Sequence, residues 1–157
     1  MNMRRLGCVF WVLLLQPWAA ASQTYWLKVY EAADNTPFVT LPLSDSGNWC
    51  LHWNHSVAGF PVEDCFRVEA GQLLLHYSRQ PDFAAGLDHI PGRGSLETDP
   101  QGGYLISNID EPINNNELWL RLGSLAVDHR IISANQVFNL SRVAAGKRVR
   151  IRLEETP

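Results

Sequence analysis

The chain has 157 residues, a length that predicts one domain with a core of its own. Its 16 acidic against 13 basic side chains leave it mildly negative, which gives it no electrostatic claim on nucleic acid. No zinc ribbon, EF-hand loop, Walker A loop or dinucleotide fingerprint occurs, so no cofactor or metal is called for by motif.

The N-terminus reads as an export leader. Met1 to Arg5 is short and basic, Leu6 to Leu15 is apolar, and Trp18 to Ser22 offers a small-residue cleavage site ending at Ala21. The apolar run is short for a bilayer span of about 20 residues, so cleavage is expected rather than anchoring. This predicts an exported, periplasmic protein with a leader over 1–21 and one domain over 22–157, without a later membrane-spanning segment. Cys8 departs with the leader. Cys50 and Cys65 remain, and an even count in an exported chain reads as a disulfide.

Period-two alternation then recurs along the chain. Strands are expected over 24–31 and 38–43, followed by a hairpin within Trp49–Val68. Pairing Cys50 with Cys65 across that hairpin sets Leu51 opposite Asp64 and Trp53 opposite Val62. Trp49, Leu51, Trp53, His55, Val62, Asp64, Phe66 and Val68 then share the core face. The cysteines, His52, Glu63 and Arg67 share the other. A slip of one residue exchanges Asp64 for Glu63. Further strands are expected over 72–79, 104–107, 117–123, 127–133, 136–140 and 147–154. The stretch 72–79 is so continuously apolar that burial on both faces is expected. Residues 80–103 are rich in Gly and Pro and read as a long functional loop, with short strands allowed inside it. About ten short strands and no strong helical pattern predict an all-β sandwich or barrel.

Two polar groups stand out of place on core faces, His55 and Asp64, and His129 joins them among apolar neighbours. Each is either a satisfied core residue or part of a polar pocket for a small molecule or for acid–base chemistry. His52-x-x-His55 has the look of a metal pair, but positions i and i+3 of a strand face opposite sides. A triad through Ser56 would fold that residue back on its own neighbour, and Ser56 is better suited to a local hydrogen bond. Arg148, Arg150 and Arg152 form an outward stripe, either a solvated face or an edge strand that discourages aggregation.

His55-Ser56-Val57 followed by Pro61-Val62-Glu63-Asp64, then Phe83 to Leu87, Leu118 to Leu122, His129-Arg130-Ile131 and Gly146 with Val149 to Ile151, resemble in order and spacing the bacterial domain-of-unknown-function family numbered 1850. The chain departs from that pattern at Ala58, Ala84 and Asp88, where the family usually has glutamate, glycine and proline. The resemblance implies an exported accessory of TAXI-type tripartite ATP-independent periplasmic transporters, which import organic anions. Its partners would be a transporter membrane subunit or solute-binding protein, with a small organic anion as ligand. The expected binding residues are His55, Ser56, Glu63, Asp64, Gly86 and His129, with the 80–103 loop as a lid. Two alternatives stand beside this binding module. One is a hydrolase or isomerase using the His/carboxylate pocket, and the other is a purely structural partner of the transporter.

Overall fold

In a computed structural model, residues 25–43, 46–83, 87–134 and 136–155 are described. The expected leader and Gly86 lie outside them. Twelve strands run in chain order: β1 (Tyr25–Glu31), β2 (Pro37–Pro42), β3 (Trp49–Asn54), β4 (Pro61–Glu69), β5 (Gln72–Gln80), β6 (Ser95–Thr98), β7 (Tyr104–Ser107), β8 (Glu111–Pro112), β9 (Glu117–Arg121), β10 (Arg130–Ser133), β11 (Gln136–Asn139) and β12 (Arg148–Glu155). A single turn of 3₁₀ helix, Asn114–Asn116, precedes β9, and one short helix, α1 (Leu140–Ala144), follows β11. The two strands beyond the expected ten are β6 and β8, only four and two residues long.

The strands form two antiparallel sheets. The smaller has the order β2-β1-β12-β9, and the larger β11-β10-β3-β4-β5-β7-β6 with β8 beside β5. Both sheets keep open edges, so the architecture is a sandwich and not a closed barrel. Alternation builds the core. Leu27 and Val29 of β1 and Val149, Ile151 and Leu153 of β12 pack against Trp49 and Leu51 of β3 and Ile131 of β10. Trp49 and Phe66 stack at 4.3 Å between ring centroids and close the middle of the larger sheet. Ala70 and Gly71, at φ 49° and 78°, make the two-residue turn of the β4–β5 hairpin.

The organising hairpin has the expected register, with Cys50 opposite Cys65, Leu51 opposite Asp64 and Trp53 opposite Val62. Cys50 and Cys65 are bonded. Three expectations are corrected. β5 is not doubly covered throughout. A bulge places His76 as an extra residue between the pairs Phe66–Leu75 and Cys65–Tyr77. Leu73 and Leu75 before the bulge, and Ser78 and Gln80 after it, therefore share the inner face. His129 is not in a strand, because Asp128 at φ 55° breaks the alternation and pairing starts at Arg130. The arginine stripe is not on an edge, since β12 lies between β1 and β9. Two of its three guanidiniums lie over rings, Arg150 at 4.6 Å from the Tyr30 ring centre and Arg148 at 5.4 Å from that of Trp119. Among the described residues, no helix is long and apolar enough to cross a membrane.

Candidate functional site

A four-stranded sheet cannot cover a larger one of eight. The uncovered inner face of β4, β5 and β7 is closed by the edge strand β9 and by loop segments within 87–93 and 109–113, and a cavity of about 540 Å³ remains between them. Its walls are mainly apolar, with Leu51, Phe66, Leu75 and Ile106 from the larger sheet and Leu118 and Leu120 from β9. Its size and lining are those of a small-molecule site.

Among the polar groups in its wall, Asp64 comes from the middle of the larger sheet. The β3–β4 register carries it to the inner face, and the β5 bulge sets Ser78 directly opposite. The Ser78 hydroxyl donates to Oδ1 at 2.8 Å, and the Trp53 indole N–H donates to Oδ2 at 3.1 Å. Both donors are neutral. Burial pushes the Asp64 carboxyl above the ordinary carboxylate range, and these two hydrogen bonds only partly oppose it.

Trp53 links this carboxylate to the second predicted residue, His129. The two rings are nearly parallel, 13° apart with centroids at 6.1 Å, and both line the cavity. His129 Nδ1 accepts the Gly123 backbone N–H at 3.1 Å, so the neutral ring carries its proton on Nε2. The buried Ser141 hydroxyl accepts the His129 backbone N–H and donates to the Gly123 carbonyl, which anchors the histidine from α1. Burial holds the His129 pKa down, against the pull of Asp128.

The other predicted residues lie elsewhere. His55 neighbours Trp53, with ring centroids at 6.0 Å, but does not line the cavity. Its Nδ1 accepts the backbone N–H groups of Val57 and Ala58 at 3.2 and 3.1 Å, and its backbone pairs with Phe60 and Gly59, so it organises its own turn. Ser56 is an exposed residue of that turn. Glu63 faces the other side of the sheet. There it pairs with His52 at 2.8 Å and Arg79 at 3.4 Å, in a separate cleft of about 320 Å³ that also contains Asp99. Cys50 and His52 approach Glu63 closely enough to form a metal-ligand set on distance alone, but the Cys50 sulfur is committed to Cys65.

The structure adds members that sequence reasoning missed. Trp53 and Ser78 hold Asp64, while His89, Arg93 and Glu111 line the cavity from the loops. The signal for Ser78 was the polar end of β5, Ser78-Arg79-Gln80, after a run of leucines. The loop expected as a lid contributes Leu87 to Ile90 and Arg93 to the lining.

The family model described as Domain of unknown function (DUF1850) matches residues 50–140, which include β3 to β11 and every cavity-lining residue. The chain belongs to that family. Comparison with curated proteins and with solved structures gave no match.

Proposed function

We propose that this protein is a small-molecule-binding module at the periplasmic face of the cell envelope, with the inter-sheet cavity as its binding site. The observation that carries the reading is the cavity itself, about 540 Å³ with largely apolar walls and the half-buried carboxylate of Asp64 among them. A concavity of that size lined by side chains from both sheets leaves apolar surface in water, and an occupant that buries it is stabilised there. The leader-like N-terminus supports export. The family resemblance supports service to a TAXI-type tripartite ATP-independent transporter of organic anions, with the membrane subunit or the solute-binding protein as partner.

The cavity is tested with N-phenyl-1-naphthylamine, a neutral apolar probe that brightens out of water. Saturable binding to the wild type is expected, with its loss in Leu120→Trp, which fills the space beside Leu118. Probe binding that is absent, or that survives unchanged in folded Leu120→Trp, refutes the site. Recovery of a transporter subunit by the tagged protein from its own envelope is the expected result for the accessory role. Recovery of none, with the protein stable alone, removes the transporter from the reading and leaves a free-standing binding protein or enzyme.

A further inference from the structure

We infer that the cavity takes a molecule with an apolar body and one cationic nitrogen, an alkyl- or arylammonium ion, whose charge sits against the Asp64 carboxylate. This rests on the cavity being a binding site and names the class of its ligand.

The argument is one of charge. Among the described residues, three carboxylates line the cavity, those of Asp64, Asp88 and Glu111, against a single guanidinium, that of Arg93. Arg93 is paired with Glu111, its Nε lying 2.6 Å from the carboxylate, and it acts on the Asp64 charge only through space, without an ion pair to it among the described residues. The lining therefore opposes an anion. Asp64 in particular is held by an indole N–H and a hydroxyl, which satisfy lone pairs but bring no countercharge. Glu63, the preceding residue on β4, adds a like charge from the far face, where Arg79 lies 3.4 Å from it. What this constellation lacks, among the described residues, is a cation in direct contact with Asp64 from inside the cavity.

Two further features fit an ammonium ion. The indole of Trp53 and the ring of Phe66 line the cavity with Asp64, and aromatic faces attract a desolvated cation. His89 Nε2 is buried in the lining loop without a hydrogen-bond partner among the described residues, which leaves one ring nitrogen for a polar group of the ligand. The leucines and isoleucines of both sheets then take the apolar body.

The test uses the wild-type protein loaded with N-phenyl-1-naphthylamine at neutral pH and three displacers of matched chain length: octylamine, octanol and octanoate. Octylamine is expected to displace the probe at concentrations at least about tenfold lower than either of the others, the difference one hydrogen-bonded ion pair makes. In Asp64→Asn octylamine is expected to fall back to the level of octanol, each displacer being read against that variant's own probe affinity. Octanol or octanoate matching octylamine on the wild type overturns the inference. So does an amine preference that persists in folded Asp64→Asn. Should that variant not fold, the wild-type ranking alone decides. Saturable probe binding without amine preference refutes the ligand class and leaves the cavity reading intact; absent probe binding refutes both.

Discussion

Ser78→Ala isolates what holds the Asp64 charge in place. The substitution removes a hydroxyl that donates to Oδ1 at 2.8 Å and leaves the carboxylate with the Trp53 indole alone. A hydrogen bond to a charged group contributes about 1.5–3 kcal/mol, and one between neutral groups about 0.5–1.5 kcal/mol. Asn at position 64 can keep both contacts, its oxygen accepting from Trp53 and its amide donating to Ser78. Ser78→Ala is therefore expected to cost about 1.5–3 kcal/mol in the wild-type background and about 1 kcal/mol less in Asp64→Asn. The sign of the pH dependence follows from Asp64. Its folded pKa is raised, so ionisation in the folded state costs stability as pH rises from the ordinary carboxylate value through the folded one. The Ser78 hydroxyl reduces that cost, so its extra worth appears only above the folded pKa and vanishes below both values. Urea unfolding of the four proteins at pH 7 and pH 3 measures this directly. Equal costs in both backgrounds, or a cost that does not change with pH, would refute an ionised Asp64 in the cavity wall.

Three other outcomes follow from the fold. Replacing Cys50 and Cys65 together by alanine releases a cross-link between residues 15 apart and should cost about 3 kcal/mol. Dithiothreitol should then lower the melting temperature of the wild type but not of the double variant. Gly103→Ala at φ 90° would place its Cβ 2.4 Å from Pro81 Cα and 2.6 Å from the Gln80 carbonyl, both backbone atoms. A destabilisation above about 1 kcal/mol is expected in thermal melts, and a neutral result would mean that the end of β5 can shift freely. Ile151→Ala, at a side chain with 0% exposure, should lose about 2–5 kcal/mol. Val57→Ala, at 86% exposure, should stay within about 0.5 kcal/mol, and urea midpoints distinguish the two.

Much of the larger sheet was legible because two independent signals agree at its centre. The cysteine pair and the alternation of Trp49, Leu51 and Trp53 with Val62, Asp64 and Phe66 demand the same register, and no neighbouring register satisfies both. Where only one signal existed, it misled. The unbroken leucines of β5 imply two covered faces, yet the bulge at His76 changes the phase halfway and exchanges odd for even positions. Nothing local in Gln72–Gln80 announces that change, because it is set by pairing with Cys65 and Phe66. The alternation of Val127, His129 and Ile131 is likewise genuine in sequence. It is interrupted by Asp128 in the left-handed region, which an aspartate tolerates better than most side chains. The arginines of β12 read as an edge signal because their partners, Tyr30 and Trp119, come from distant parts of the chain.

The same contrast separates a polar residue on a core face from a functional one. His55, Asp64 and His129 looked alike in sequence, each a polar interruption of an apolar pattern. In each of the two histidines one ring nitrogen already serves a backbone N–H of its own neighbourhood. Either one could be kept for structure alone. Asp64 is different in kind. An asparagine could keep a hydrogen bond to each of Trp53 and Ser78 without charge, accepting from the first and donating to the second, so structure does not require a carboxylate there. The ionisable group costs stability where it stands and faces a cavity whose single guanidinium is already engaged. A group that costs the fold and is hydrogen-bonded only to neutral donors, with the Arg93 charge reaching it through space alone, is explained by something that enters from outside, and the cavity supplies the room.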